Sequence, residues 1–457
     1  MQTRKDLYQA HRLMTQRVAL ALLQGRPGAA ESPLRRTGVG ALCGVMVVVL
    51  IAAGFGITGL IFKGGARNLE KPGLLIIEKE TGAAYAFSAR DRRLIPFVNY
   101  TSARLAIPEA TVTRKTVSGR SLAKYTRGPL SGIPGAPESL PEPGRLTKAP
   151  WSVCVRRAGG TTGGSTVSVI GGRDVGGRPL RDDQAVLVQG GEQTWLVWRN
   201  KRMRISPRGA RMLAPSPPIP IDPRWLNGLP QGPDFAAPGI PKRGTKVTGP
   251  DDAETKVGQV FHVAAIAGTA DRWYVQLADG LAAISETQAR LLLEAADGPG
   301  PQRDITPGQA GARPSPASLY SRDLPESPPR PAPFSPEEPL CAVYRDTGKL
   351  STDSRFTIGG NLPGASAVGP GADGLDEIFI PGGGTFVGTL TASGQTPETF
   401  SLITEQGMRY SVPTAADVQK LGYSASGAVP VPAGLLQLFR EGPSLSAAAA
   451  VQPAPAT

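Results

Sequence analysis

Histidine is almost missing from this chain: two occur, His11 and His262, far apart in sequence. No histidine cluster can therefore ligate a metal, and the HExxH arrangement of zinc peptidases is absent. Cysteine is nearly as scarce, at three residues, too few for a zinc ribbon or a disulfide-dense scaffold. The phosphate-loop pattern GxxxxGK[ST] has no match. Gly348-Lys349-Leu350-Ser351 lacks both the upstream glycine and the adjacent hydroxyl. Carboxylates fall in adjacent couples, Asp182-Asp183, Asp251-Asp252 and Glu337-Glu338. Neighbouring side chains diverge in extended or loop backbone, so these couples read as solvated charge rather than acid–base pairs. His262 lies in the apolar run Val260-Phe261-His262-Val263. A partly buried structural histidine is the favoured reading over a member of a serine-type triad. No cofactor and no catalytic residue are expected.

Acidic residues are also in deficit, with 37 Asp and Glu against 50 Lys and Arg, a net charge of +13. The 457 residues suffice for roughly three domains at about 150 residues each. Gly (57) and Pro (45) are frequent without reaching the level of a wholly disordered chain. Folded modules with Pro/Gly-rich connections are the expectation. No nucleic-acid-binding motif occurs, and the basic excess suits acidic envelope polymers better.

What stands out is a long run without charge, residues 37–62, reading VGALCGVMVVVLIAAGFGITGLIF at its core. It exceeds the roughly 20 residues that cross a bilayer. It is too long for the apolar part of a signal peptide and lies behind a polar N-terminal region. Arg4, Lys5, Arg12, Arg17, Arg26, Arg35 and Arg36 precede it against Asp6 and Glu31. The positive-inside rule puts the N-terminus in the cytoplasm. Lys63, Arg67 and Lys71 on the far side weaken that bias without reversing it, because long domains translocate largely regardless of charge. Within the span, Gly54-Phe55-Gly56-Ile57-Thr58-Gly59 matches GxGxxG, but no strand precedes it, which argues against a dinucleotide site. Gly40 and Gly44 form a GxxxG pair that allows close helix packing in the membrane. Cys43 falls inside the span. Cys154 and Cys341 fall outside, an even pair in an oxidising compartment. A bridge between them would stabilise by about 5 kcal/mol on the chain-entropy model. Two unlinked buried thiols are the alternative.

Residues 3–24 read as a basic amphipathic helix with Thr3 as N-cap and Leu7, Leu13, Met14, Leu20 and Leu23 on its apolar face. Such a helix lies on an anionic membrane or docks on a partner. Gly25-Arg26-Pro27-Gly28 ends it. Beyond the span, a unit of three short strands recurs, often followed by a helix. The first copy holds Leu74–Ile77, Ala84–Phe87, Arg93–Pro96 and a helix at Thr101–Leu105. The second holds Ala185–Val188, Trp195–Trp198 and Arg202–Ile205. The third holds Val260–Val263, Trp273–Leu277, Leu281–Ile284 and a helix at Glu286–Ala296. The fourth holds Thr385–Gly388, Phe400–Ile403, Met408–Val412 and a helix at Thr414–Leu421 with Thr414 as N-cap. Apolar–polar alternation marks half-buried strands, and Asp279-Gly280 and Gln406-Gly407 mark tight turns. Gly382-Gly383-Gly384-Thr385 leads into the fourth unit. The copies are unevenly spaced, so this is no solenoid. Residues 216–246, 298–339 and 447–457 read as linkers or arms, the last two disordered.

These residues resemble the EccB family of the actinobacterial type VII (ESX) secretion system. The likeness runs from the cytoplasmic helix and single span through Asn99-Tyr100-Thr101-Ser102-Ala103-Arg104-Leu105-Ala106. It is most specific at Ala123-Lys124-Tyr125-Thr126-Arg127-Gly128-Pro129 and Gly132-Ile133-Pro134-Gly135-Ala136-Pro137. Trp151-Ser152-Val153-Cys154, Leu180-Arg181-Asp182-Asp183 and Cys341 after a Pro-rich stretch also fit. The resemblance implies a bitopic membrane protein with one N-terminal transmembrane helix and an α+β, mainly β ectodomain. That ectodomain would hold four small repeats, similar to phage-lysin cell-wall-binding modules, around a central β-rich domain. Its implied layout is a cytoplasmic segment 1–36, span 37–62, repeats at 70–105, 180–212, 257–297 and 383–424, and central-domain parts at 110–175 and 340–380. The Pro-rich linker 298–339 and the disordered tail 447–457, both read from composition, are where this chain departs from the family pattern. The resemblance also implies a disulfide mapping onto Cys154 and Cys341. The implied partners are EccC, EccD and EccE in a ring-like export complex, with a mycosin protease on the outer side. The expected role is structural. An ATPase, as the family is sometimes labelled, and a peptidoglycan-binding anchor are the alternatives, the first disfavoured by the missing phosphate loop.

Overall fold

The computed structural model describes residues 4–25, 33–61, 68–109, 111–157, 164–266, 268–295, 300–364, 366–367 and 375–455. The chain divides into two compact units, Met1–Asn68 with Ser118–Lys124, and Leu69–Val117 with Tyr125–Thr457. The first unit carries α1 (Arg4–Gln24) and α2 (Pro33–Ile61). Thr37–Ile57 within α2 is long and apolar enough to cross a membrane, and none of it is buried. Thr3, expected to cap α1, and Phe62, expected to end the span, lie outside the described residues.

The second unit is mainly β. Its first sheet joins β1 (Leu74–Glu78), β2 (Ala84–Ser88) and β3 (Arg93–Phe97) in an antiparallel meander. Helix α3 (Tyr100–Ala106) follows, and β4 (Thr113–Val117) returns parallel to β1. The short turn α4 (Gly119–Leu122) belongs to the first unit. The central sheet opens with β5 (Trp151–Arg157), β6 (Ser165–Gly171) and β7 (Arg178–Pro179). A second small sheet follows, with β8 (Gln184–Gly190), β9 (Gln193–Trp198), β10 (Lys201–Arg204), helix α5 (Pro207–Leu213), β11 (Ile219–Pro220) and helix α6 (Pro223–Asn227). A hairpin of β12 (Lys246–Thr248) and β13 (Glu254–Lys256) leads to the third. That sheet holds β14 (Val260–Val263), β15 (Arg272–Gln276), β16 (Leu281–Ile284), helix α7 (Glu286–Leu293), β17 (Arg303–Asp304) and helix α8 (Pro307–Ala312).

Strand β18 (Arg330–Pro331) adds to β8, and the chain then returns to the central sheet. There it contributes β19 (Leu340–Tyr344), β20 (Arg355–Ile358), β21 (Ser366–Ala367) and β22 (Glu377–Phe379). The completed order is β21-β22-β6-β5-β19-β20-β7. The last small sheet holds β23 (Gly384–Leu390), β24 (Phe400–Thr404), β25 (Met408–Val412), helix α9 (Ala415–Lys420), β26 (Val429–Pro432), helix α10 (Ala433–Leu436) and β27 (Arg440–Glu441). Helix α11 (Ala447–Ala450) closes the chain.

The four small sheets share one topology: a three-stranded meander, a helix, then a strand returning parallel to the first. The same local chemistry starts each helix. Asn99, Ser206, Ser285 and Thr414 sit in extended backbone just past the third strand, and each side chain accepts a hydrogen bond from a first-turn backbone N–H. That satisfies a donor the helix itself cannot pair. Gly384 opens the fourth sheet with φ near 140°; a Cβ there would come within 2.4 Å of the Ile403 carbonyl oxygen, so only glycine lets the strands close.

Alternation divides the central sheet into two faces. Trp151, Val153 and Val155 point into the largest core, shared with Val186 and Val197 of the second sheet and Val387, Ile403 and Leu435 of the fourth. Cys154, Ile170, Cys341 and Val343 point to the opposite face. The first and fourth sheets share a further core through Leu105, Phe386, Leu402 and Val418. The second and third share one in which Leu291 of α7 joins Leu187 and Leu196.

Two expectations of disorder are corrected. The 298–339 stretch carries β17, α8 and β18, with Ile305, Ala310 and Leu324 buried. The tail 447–457 carries α11, and Leu445 and Ala450 are fully buried in the core shared by the first and fourth sheets. Composition misled because backbone partners hold both segments: Gln452 O accepts from Gly132 N–H at 3.0 Å, and Ala454 N–H donates to Leu130 O at 2.9 Å. Residues 296–299 and 456–457 lie outside the described set.

Candidate assembly surfaces and central disulfide

The two cysteines outside the span are joined. Cys154 on β5 and Cys341 on β19 face one another in the antiparallel register, with Cα atoms 4.0 Å apart and 187 residues between them in sequence. Both are fully buried among Ile170, Val175 and Val343. The chain between them folds the second and third sheets, so the bridge ties the two ends of a long insertion within one sheet.

A second tie involves charge. Asp222 caps α6 and also pairs with Arg224 at 2.6 Å. Arg224 reaches Asp376 at 2.9 Å, just before β22. Asp376 accepts the backbone N–H of Val167 on β6 at 2.7 Å. The paired carboxylates raise the Arg224 pKa further above its ordinary value, chiefly through the hydrogen bond to Asp222. Beside it, Glu377 accepts from Arg156 at 3.1 Å and from Ser168 at 2.8 Å. Trp225, next to Arg224, is fully buried and donates its indole N–H to Val153 O at 3.0 Å. The network therefore anchors the second sheet's final helix to the central sheet.

The candidate catalytic residues are dispersed. His262 Nδ1 lies 2.9 Å from Asp304 and Nε2 lies 3.4 Å from Asp271, with the ring 4.4 Å from Trp273. Both ring nitrogens thus face carboxylates, leaving no position for a serine nucleophile. The paired acids go separate ways: Asp251 to Arg303, Asp252 to Arg313 at 3.0 Å, Asp183 to Arg181 at 3.2 Å. Lys349 pairs with Asp346 at 2.9 Å.

The first unit offers the open apolar surface. On α1, Leu7, Tyr8, Leu13, Met14, Val18, Leu22 and Leu23 are exposed. On α2, a Cβ built at Gly40 or Gly44 would meet nothing within 4 Å. Among the described residues nothing lies against the GxxxG pair, and Gly54 to Gly59 is helical throughout. Exposed apolar helices of this size call for lipid or protein to cover them. The caps Asn99, Ser206 and Ser285 and the Arg224 network went unread in the sequence. The caps were legible as Asn or Ser directly after a strand; the network was not, since Asp376 lies 152 residues from Arg224.

Comparison with known proteins agrees with this picture of an assembly component. The family model described as type VII secretion system ESX-1, transport TM domain B, matches residues 1–454. The chain is 31% identical to the ESX-3 secretion system ATPase EccB3 of Mycolicibacterium smegmatis, covering 91% of this chain and 83% of that protein. It is 31% identical to the ESX-2 secretion system ATPase EccB2 of Mycobacterium tuberculosis, covering 89% and 86%. Among solved structures, a chain of the intact ESX-5 inner membrane complex matches with TM-score 0.65 and 25% identity over 100% of this chain and 96% of that one. A chain of the EccB3 dimer from the ESX-3 core complex matches with TM-score 0.63 and 27% identity, over 83% and 99%.

Proposed function

The chain belongs to the EccB family of type VII secretion proteins, and from that premise we propose that it is a structural and assembly subunit of an ESX complex in the cytoplasmic membrane. One observation carries the reading: the likeness to a chain of the intact ESX-5 inner membrane complex extends over the whole length, helices included. In this reading α1 lies on the cytoplasmic side, as the basic residues before the span favour. Helix α2 packs in the membrane through faces such as Gly40 and Gly44. The four equivalent sheets frame the disulfide-tied central sheet on the outer side and extend the apparatus toward the wall. EccC, EccD and EccE family proteins and a mycosin protease are the partners it implies. The word ATPase in the names of its relatives is assigned here to the motor of the complex, because this sequence has no phosphate loop.

The test is gentle detergent extraction of the tagged, full-length protein from its native membrane, sized on a native gel and identified by mass spectrometry. A large complex containing EccC-, EccD- and EccE-like proteins is expected. A lone monomer or dimer would overturn the reading and return attention to wall binding.

A further inference from the structure

The four small sheets end alike, but their edges do not. In each, the returning parallel strand lies outside the meander. In the second sheet that strand is two residues, Ile219–Pro220, one of them proline; in the third it is two, Arg303–Asp304. In the fourth it reads Val429-Pro430-Val431-Pro432, whose prolines cannot donate to a neighbour. Short strands and prolines are the usual means of blunting a sheet edge. The first sheet uses neither. Its returning strand β4 is five residues long, Thr113-Arg114-Lys115-Thr116-Val117, without proline.

The ladder shows which groups that edge presents. Thr113 N–H donates to Gly73 O at 2.9 Å, and Val117 O accepts from Lys79 N–H at 2.8 Å. Alternate residues of a parallel strand bond to the same neighbour. Thr113, Lys115 and Val117 therefore engage β1, and the N–H and C=O groups of Arg114 and Thr116 point outward. Thr113, Arg114 and Thr116 are exposed. Among the described residues, no strand pairs with this side of β4. Inward of that edge, over β1 to β3, Arg114 also lines a cleft of about 350 Å³ with Ile77, Phe97, Tyr100, Glu138 and Leu140.

Charge chooses the occupant. Arg114 lies 4.7 Å above the Tyr100 ring, Lys115 follows it, and Arg104 on α3 is near enough to feel the charge of Arg114. Glu138 is the one acid lining the cleft. A second copy pairing edge to edge would set Arg114 and Lys115 against like charges. An acidic strand would meet complementary ones.

We propose that the outer edge of β4 is a strand-addition site for an extended acidic segment of a partner polypeptide. This rests on the assembly reading and deepens it, by giving the outer domain a defined docking edge.

The test places a photoreactive residue at position 116, and separately at 114, of the full-length protein in native membranes. Adducts are mapped after extraction, alongside Thr116→Pro and an Arg114→Glu, Lys115→Glu double variant probed from position 113. Thr116→Pro removes an outward N–H and leaves the β1–β4 bonds intact. The expected result is an adduct within an extended acidic stretch of one partner, lost in Thr116→Pro. In the double variant its yield falls about tenfold and recovers when the partner's acids are changed to lysine. If Thr116→Pro does not fold, the double variant and its rescue carry the test alone. An intact complex without adducts would overturn the proposal and leave the assembly reading standing. So would adducts to a second copy of this chain, or adducts unaffected by the charge changes. Absence of any complex around the unsubstituted protein would overturn both.

Discussion

Breaking the Cys154–Cys341 bridge should unfold the second unit at lower denaturant. The bridge closes a loop of 187 residues. On the chain-entropy model such a loop is worth about 5 kcal/mol, and measured losses of native bridges run from about 2 to 5. Two further effects have to be separated from that figure. Both cysteines are fully buried, so Cys→Ala also deletes a sulfur from packed surroundings, roughly 1 kcal/mol each by analogy with a lost methyl group. Reduction without substitution keeps both sulfurs and removes only the link. Three samples therefore resolve the contributions: oxidised protein, protein reduced under denaturing conditions and kept reduced, and the Cys154→Ala, Cys341→Ala double variant. Trp151 on β5 and Trp225 against Val153 flank the bridge and are both fully buried, so tryptophan fluorescence reports on this region. With a urea slope of ~3 kcal/mol per molar, the reduced protein should lose about 1 M or more in midpoint, and the double variant somewhat more. Equal midpoints for oxidised and reduced protein would refute the loop argument. Equal midpoints for reduced protein and double variant would refute the packing term alone.

Four other perturbations follow from the same structure. Arg224→Ala leaves Asp222 and Asp376 facing each other without their shared cation, and should cost about 1–3 kcal/mol by urea midpoint. Lysine at that position should recover little, since it cannot bridge two carboxylates in the plane of a guanidinium. Asp417 is buried and accepts both from Thr414 Oγ1 at 2.6 Å and from Ala447 N–H at 2.8 Å; Asp417→Ala should free α11, seen as faster hydrogen exchange and proteolysis after residue 446 with the other sheets still protected. Asp174 is held below the usual aspartate range by Arg345 and by the Gly176 N–H. Its contribution is complete above the unfolded pKa and is lost as pH falls through the lower folded value, so Asp174→Asn should flatten stability against pH below about 4; both partners are half exposed, which keeps the effect under about 1 kcal/mol. Deleting residues 4–24 should dissociate the membrane complex on a native gel while the second unit keeps its melting transition.

What was legible in the sequence followed the range of the interactions. The meanders could be read because alternation and tight turns are local, as at Gln406-Gly407 between β24 and β25. The span could be read because a long uncharged run has few other uses. The returning strands could not. Ile219–Pro220 and Arg303–Asp304 are two residues each, and only parallel pairing with β8 and β14 makes them strands. The tail failed for the same reason in a sharper form. Its Ala and Pro composition carries no period, and its order comes from Asp417, Leu130 and Gly132, all distant in sequence.

That division also explains where the functional reading had to come from. The second unit commits its distinctive side chains to structural work: cysteines in a bridge, His262 between two aspartates, Arg224 between two more. Local sequence chemistry then has little to announce beyond the absence of catalytic and phosphate-binding patterns. Among the described residues, the apolar faces of α1 and α2 and the unblunted edge of β4 remain open. Such a distribution, with reactive side chains holding the sheets together and apolar helices exposed, is the one an assembly subunit requires. The β4 edge gives that argument its most local form, because its three sibling edges are short or proline-bearing and it is neither.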